Sequence, residues 1–369
     1  MITPRPARFS LRLAAPLLAV TMLGGCNTPF NILRVLDGPY VSPERRAEIA
    51  YAQAQEQAQL AWQTFHSRAV AGNLEGNTAD RTVLVVTPPG YAEHPERRYP
   101  VVYFLHGYWA TPQMYQDMMH FEQAVQGAAE AGNEVILVMP DGHSALKGGF
   151  YSSGPTVGDY ETMVAHDLVG WVDANYRTIP NADSRGLAGH SMGGYGTIRV
   201  AMKHPDVFSS IYMMSACCLP PMAMTPDAAR RIEGMTAADL ETAQFAQLAA
   251  VSTLATWSPD PTDPGILKVD TGLRADGSID PLVNQRLAAN SPLVLVPQYL
   301  PALNGLEAFA MDIGDADFLL EGNAQFRAEL DRFGVQYQFE LYEGDHGNRI
   351  ADRIRSDVLP FFANHLDRN

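Results

Sequence analysis

The chain predicts an α/β fold: a doubly wound, mostly parallel sheet with helices on both faces and an inserted, mainly helical cap. Three observations predict it. Short apolar runs alternate with helix-like stretches from residue 82 to residue 366, the pattern of a sheet buried on both faces. The hexapeptide Gly189-His190-Ser191-Met192-Gly193-Gly194 carries Gly-x-Ser-x-Gly between a strand-like and a helix-like run. About seventy residues, 219–290, separate two consecutive strands, too many for a simple crossover.

The elements follow in order. Arg5, Arg8 and Arg12 precede a short apolar run, Leu13 to Leu23, and then Gly24-Gly25-Cys26. This predicts a signal peptide of lipoprotein type over 1–25, too short for a membrane span, with Cys26 as the lipidated residue, since the segment resembles a bacterial lipobox. Residues 26–72 read as anchor, linker and a helix from Glu44 to about Ala71, rich in Ala and Gln and free of Pro, stopped at Gly72-Asn73. The catalytic domain is expected over 73–369. Its strands are Thr82–Val86, Pro100–Leu105, Glu134–Met139, Ser184–Ala188, Ser210–Met214, Ala308–Asp312 and Tyr337–Tyr342. The last alternates apolar and polar residues, which suits an edge. Helices are expected near Met114–Ala131, Thr162–Tyr176, Gly194–Lys203, Asn323–Phe333 and Asp352–Leu366. Within the cap, Ala228–Ile232 and Ala237–Ala255 are helix-like and a Pro/Asp/Gly-rich stretch follows around Trp257 to Asp280.

Charge narrows the partners. The formal net charge is −15. Removing residues 1–25 takes away three arginines and no acid, moving it from −15 to −18. Such a surface repels nucleic acid and anionic headgroups, so no nucleic-acid partner is expected and membrane contact only through a lipid anchor. Beyond Cys26 the cysteines are the adjacent Cys217 and Cys218, read as two buried thiols. No Cys/His spacing matches a zinc site; neither metal nor cofactor is expected.

Strand, tight turn and helix around Ser191 make it a candidate nucleophile. A neutral serine hydroxyl needs a histidine to take its proton and an acid to hold that histidine's tautomer. In elbow-type enzymes the chain order is Ser, then Asp or Glu, then His. Of ten histidines, His204, His346 and His365 follow Ser191. His204 ends the helix leaving the elbow and His365 lies in the terminal helix, solvated. His346 occupies a loop directly after the last strand, where such sheets carry their chemistry. For the acid, Asp312 belongs to a strand end. Asp315 and Asp317 lie in the loop beyond it, and position does not choose between them. The N–H groups of Met192 and Tyr108 are candidate oxyanion donors. The side chains of Tyr108 and Trp109 could line a pocket or pack on the cap.

These residues carry a resemblance. Pro88-Pro89-Gly90-Tyr91, Arg98-Tyr99-Pro100-Val101-Val102-Tyr103-Phe104-Leu105-His106-Gly107, Met139-Pro140-Asp141-Gly142, Asp173-Ala174-Asn175-Tyr176-Arg177, the elbow through Gly196, and His204-Pro205-Asp206-Val207-Phe208 resemble the esterase family of α/β-hydrolases. It includes esterase D, feruloyl esterases and mycolyltransferases. The resemblance is dense over 78–218 and looser over 290–365. It implies an α/β-hydrolase fold with Ser191, Asp317 and His346 as the catalytic residues and Tyr108 and Met192 as oxyanion donors, and so selects Asp317 over Asp315. The chain departs from the family at Gly344-Asp345-His346-Gly347-Asn348, where many members show Gly-Gly-His and an aromatic residue, and over 219–290. The expectation is an exported serine esterase acting on carboxylic or thioesters, of small molecules or glycans. Its place would be the membrane-anchored envelope, or the exterior. The alternatives are an acyltransferase to a sugar hydroxyl, or a non-catalytic binding protein on this scaffold.

Overall fold

Eight strands pair edge to edge in the order β1-β2-β4-β3-β7-β8-β9-β10. The computed structural model describes residues 42–48 and 56–368. The strands are β1 (Gln59–His66), β2 (Asp80–Thr87), β3 (Val101–Leu105), β4 (Ile136–Pro140), β7 (Arg185–His190), β8 (Ser210–Met214), β9 (Ala308–Gly314) and β10 (Gln338–Tyr342). A separate two-stranded sheet pairs β5 (Ser153–Gly154) with β6 (Gly158–Asp159). Strands β4, β3, β7, β8, β9 and β10 run parallel, and β2 is antiparallel to both β1 and β4. The parallel α/β sheet expected from the strand–helix alternation is present, and the alternating strand β10 lies at an edge.

The pleat explains why the central strands are apolar throughout. Val83, Val85, Val101, Tyr103, Leu105, Leu187 and Ile211 face one core, while Leu84, Val86, Val102, Phe104, Ala188 and Tyr212 face the other. The first core is closed by α3, α4 (Met192–Lys203) and α9 (Leu320–Arg332), where α3 joins Tyr160–Thr162, a π-helical Met163–Leu168 and Val169–Asn175. The second is closed by α1 (Pro112–Met119), α2 (Phe121–Glu130) and α10, the terminal helix running through Ile350–Arg353, Ile354–Val358 and Leu359–His365. Each large side chain so buried contributes about 1.5–3 kcal/mol. Both faces therefore need helices, and the loops are left to carry chemistry at the sheet's ends.

The N-terminal reading is corrected. Helix forms over 43–48, in a unit (Met1–Tyr51) separate from the one spanning Ala52–Asn369. Gln59–His66, expected to be helical, is β1, and the sheet begins there rather than near Asn73. The reason is pairing: all eight residues align against β2, from Gln59 opposite Thr87 to His66 opposite Asp80, and Phe65 is buried. Those contacts override the helical propensity of an Ala/Gln-rich stretch. The signal peptide, the anchor at Cys26 and most of the linker lie outside the described residues.

Two expected helices are each split. The 114–131 stretch breaks at His120, whose φ of 51° ends α1 and starts α2. The 237–255 stretch divides into α6 (Ala237–Thr242), with a Thr236/Asp239 capping box, and α7 (Phe245–Trp257). With α5 (Pro226–Glu233) and α8 (Pro281–Ala288) these helices form most of the cap. Polar contacts tie the cap to the sheet domain. Ser252 donates to the Gly148 carbonyl (2.6 Å), Trp257 Nε1 donates to Ser152 Oγ (3.0 Å), and Tyr195 donates to the Asn290 carbonyl (2.9 Å). Among the described residues no helix is long and apolar enough to cross a membrane.

Candidate active site

Because the central strands are parallel, their C-terminal loops all emerge on one edge of the sheet. Strand β7 delivers Ser191, β9 delivers Asp317, β10 delivers His346 and β3 delivers His106-Gly107-Tyr108. This is where an open α/β sheet places its ligand crevice.

Ser191 has φ 58° and ψ −114°, a strained conformation between the end of β7 and the first turn of α4. The strain is held by packing that admits no side chain nearby. A Cβ on Gly189 would lie 2.3 Å from the Gly193 carbonyl oxygen, and one on Gly193 would lie 1.9 Å from that of Leu105. The Ser191 N–H donates to the Met214 carbonyl (2.9 Å), and the Ser191 carbonyl accepts from Tyr195 and Cys217 (3.1 Å each). The elbow is thereby fixed to the neighbouring strand β8 as well as to its own helix.

His346 bridges two side chains far away in sequence. Its Nε2 lies 3.0 Å from Ser191 Oγ and its Nδ1 lies 2.9 Å from Asp317 Oδ2. The Asp317 carboxylate is fully buried. Burial by itself would raise its pKa. The hydrogen bonds from His346 and from the Leu319 N–H (2.8 Å) outweigh that and hold it below the usual carboxylate value. An ionised carboxylate on Nδ1 leaves Nε2 free to accept a proton from the serine hydroxyl.

The other candidates are placed elsewhere. Asp315 accepts from the Gly344 N–H (3.1 Å) and braces the loop that carries His346. Asp312 is buried in an ion pair with Arg353 (3.0 Å) and accepts from Tyr212. His204 lies at the end of α4 against Glu161 (3.3 Å). His365, expected to be solvated, is half-buried with its ring 4.8 Å from that of Phe361. Cys217 and Cys218, expected to be buried, are free thiols that are each only half-buried, because they lie in the loop after β8 rather than within the sheet; desolvation still pushes Cys217 well up from the usual thiol value.

Met192 opens α4, so its N–H is one of the donors that a helix start leaves without an intrahelical acceptor. Tyr108 sits beside it: a Cβ on Gly148 would meet both Met192 Sδ (2.6 Å) and Tyr108 Cδ2 (2.8 Å). Trp109, at φ 69°, stacks on Phe245 of the cap (5.9 Å, 27°), and Tyr108 meets the same ring edge-on (5.3 Å). Trp109 fills both roles open to it, packing on Phe245 and lining a cavity with Leu146, Leu240 and Leu248, and the half-exposed pair Tyr108 and Trp109 forms an aromatic wall.

Three features of the site escaped the sequence. Phe318 puts a largely exposed ring 4.7 Å from the His346 imidazole. Tyr115 meets His190, and His190 meets the backbone carbonyl of His346. His190 stands inside the Gly-x-Ser-x-Gly motif, so the signal was present, but its role depends on a partner 156 positions away. Among the described residues no group of three or more His, Cys, Asp or Glu side chains could hold a metal ion.

Comparison with known proteins gives the family and the fold. The family model described as "Putative esterase" matches residues 74–288. An esterase of Mycobacterium tuberculosis is 38% identical over 134 residues, 35% of this chain and 27% of that protein. An S-formylglutathione hydrolase of Paracoccus denitrificans is 27% identical over 173 residues, 41% of this chain and 60% of that protein. The chain thus spans about a quarter of the first relative and three fifths of the second. Among solved structures, a ferulic acid esterase superposes with a TM-score of 0.59 at 22% identity, covering 84% of this chain and 99% of that one. The S-formylglutathione hydrolase of Staphylococcus aureus gives 0.54 at 18% identity, covering 83% and 99%. These structural likenesses are of fold, an α/β-hydrolase fold. With a family match over more than half of its residues, the chain belongs to the esterase family.

Proposed function

We propose that this chain is an exported serine esterase that cleaves carboxylic or thioesters through an acyl-enzyme. The single observation that carries the reading is the placement of His346 between Ser191 Oγ and Asp317 Oδ2 at 3.0 and 2.9 Å. Ser191 Oγ forms a bond to the ester carbonyl carbon as its proton passes to His346 Nε2. The carbonyl oxygen becomes an oxyanion facing the N–H groups of Tyr108 and Met192. Collapse breaks the bond to the leaving alcohol or thiol, which takes the proton from His346. Water then adds by the same route and releases the acid. Asp317 stays ionised throughout and stabilises the imidazolium.

The aromatic wall of Tyr108, Trp109 and Phe245, together with the exposed Phe318 ring beside His346, favours an ester carrying an apolar or aromatic group, on a small molecule or a glycan. Ferulic acid, for which one structural neighbour is named, is an aromatic acid of this kind. The basic and apolar start followed by Leu23-Gly24-Gly25-Cys26 supports the reading of export, with a lipid anchor at Cys26 in a bacterial envelope. Two experiments test the reading. A fluorophosphonate probe labels the wild type and not Ser191→Ala; equal labelling removes Ser191 from the mechanism. A radiolabelled fatty acid enters the full chain and not Cys26→Ser; equal incorporation removes the anchor.

A further inference from the structure

One buried chain of hydrogen bonds connects the two loops that the proposed chemistry uses. The Gly107 N–H donates to Tyr115 Oη (2.9 Å), Tyr115 Oη lies 2.7 Å from His190 Nδ1, and His190 Nε2 lies 2.8 Å from the backbone carbonyl of His346. The proton positions follow from the end of this chain. A carbonyl can only accept, so His190 Nε2 carries the hydrogen. Burial, with His346 close by, holds the His190 pKa at about 3, so the ring is neutral and Nδ1 must accept from the Tyr115 hydroxyl. The Tyr115 oxygen is then the acceptor for Gly107. Every donor has one acceptor and the tautomer is unique.

The surroundings leave no slack. A Cβ on Gly107 would lie 2.8 Å from Tyr115 Oη, 3.4 Å from Ser191 Cβ and 3.6 Å from His190 Nδ1. The His190 and His346 rings are 4.7 Å apart. Gly107 immediately precedes Tyr108, and His346 holds the serine hydroxyl. The chain of bonds therefore runs from the base of the oxyanion loop, beneath the nucleophile, to the main chain of the histidine.

We propose that His190, locked by Tyr115, is a positioning residue that fixes His346 through its backbone carbonyl and ties it to the oxyanion loop, so that base and oxyanion donor keep register during acyl transfer. This rests on the reading of Ser191 and His346 as nucleophile and base. A small displacement of either group is costly, because a misplacement of about 1 Å lowers rate on the order of 100-fold.

The test compares wild type, Tyr115→Phe, His190→Leu and His190→Gln in p-nitrophenyl acetate turnover, with urea unfolding alongside. Gln keeps an N–H near the Nε2 position. Expected are a kcat about tenfold lower in Tyr115→Phe and lower still in His190→Leu, KM within about twofold, and substantial recovery in His190→Gln. The proton shared by His346 and Asp317, followed as a low-field NMR resonance, is expected to broaden or vanish in Tyr115→Phe. Unchanged kcat in Tyr115→Phe, or Gln no better than Leu, overturns the proposal, whatever the loss of stability. If His190→Leu does not fold, Tyr115→Phe decides alone. An inactive wild type would sink the esterase reading instead. The low-field resonance then decides here: its loss in Tyr115→Phe supports positioning, and its persistence overturns it.

Discussion

The ring of Phe318 lies 4.7 Å, centroid to centroid, from the imidazole of His346, tilted at 51°, while 73% of the residue stays exposed. A large apolar ring left in solvent beside a histidine that holds the serine hydroxyl is placed where a substrate would cover it. An aromatic contact of this kind is worth about 0.5–1.5 kcal/mol. Phe318→Ala is expected to raise KM for aromatic or long-chain p-nitrophenyl esters about two- to tenfold and to leave acetate nearly unchanged. An ester panel with kcat and KM resolved separately checks this; a uniform loss across acyl groups would assign Phe318 to the support of His346 instead.

Asp317 and Asp315 differ in what their carboxylates hold. Asp317 reaches His346 Nδ1, whereas Asp315 accepts from the Gly344 N–H. Asp317→Asn is expected to lower kcat by about 10³–10⁴, since an amide favours the wrong imidazole tautomer. Asp315→Asn keeps an oxygen for Gly344 and should stay within about tenfold of wild type. Steady-state rates on one ester separate them, and equal losses would contradict the assignment.

Acid stability should depend on Glu161, which is held between Arg199 (2.7 Å), Lys203 (3.1 Å) and His204 (3.3 Å). Burial opposes its ionisation, but the His204 hydrogen bond and the charges of Arg199 and Lys203 prevail and bring its pKa to about 2. A carboxylate depressed on folding stabilises the native state above its unfolded pKa of about 4.3. That contribution drains away as pH falls from there toward 2. Glu161→Gln is expected to unfold at lower urea than wild type at pH 7, with the difference shrinking below pH 4. A gap that stays constant from pH 7 to pH 2.5 would show that Glu161 acts by packing alone.

Gly193→Ala should be the most damaging single methyl group near the elbow. Its Cβ would sit 1.9 Å from the Leu105 carbonyl oxygen, so α4 must move away from β3. Overpacking of this kind costs about 1–3 kcal/mol or more. Urea denaturation should show a lower midpoint, and fluorophosphonate labelling of Ser191 should slow sharply. A midpoint equal to wild type would mean the turn is looser than its contacts imply.

Much of this architecture was legible in the linear chain because it depends on local pattern. Apolar runs of five or six residues marked the central strands, since a strand covered on both faces has no polar position to alternate. Gly189, Ser191 and Gly193 marked the turn, since close backbone approach excludes larger residues. Chain order and the end of the last strand singled out His346 without any knowledge of distance.

What the tertiary structure alone decided depends on partners remote in sequence. Gln59–His66 has a helix-former's composition, yet it is a strand because β2 offers eight paired positions and a place for Phe65. Position alone left Asp315 and Asp317 alike in one loop and the family resemblance chose Asp317; the contacts themselves, an imidazole for Asp317 and a main-chain N–H for Asp315, come only with the approach of the β10 loop. His190 and Tyr115 carry no periodic signal, because their hydrogen-bond chain exists only once the ends of β3 and β7, the helix α1 and the loop after β10 converge on one edge of the sheet. The sequence by itself determined the central strands, the turn and the chemical types at the sheet's edge. Which side chain faces which was left to packing, since hydrogen bonds act over about 3 Å while the residues that make them here stand up to 156 positions apart.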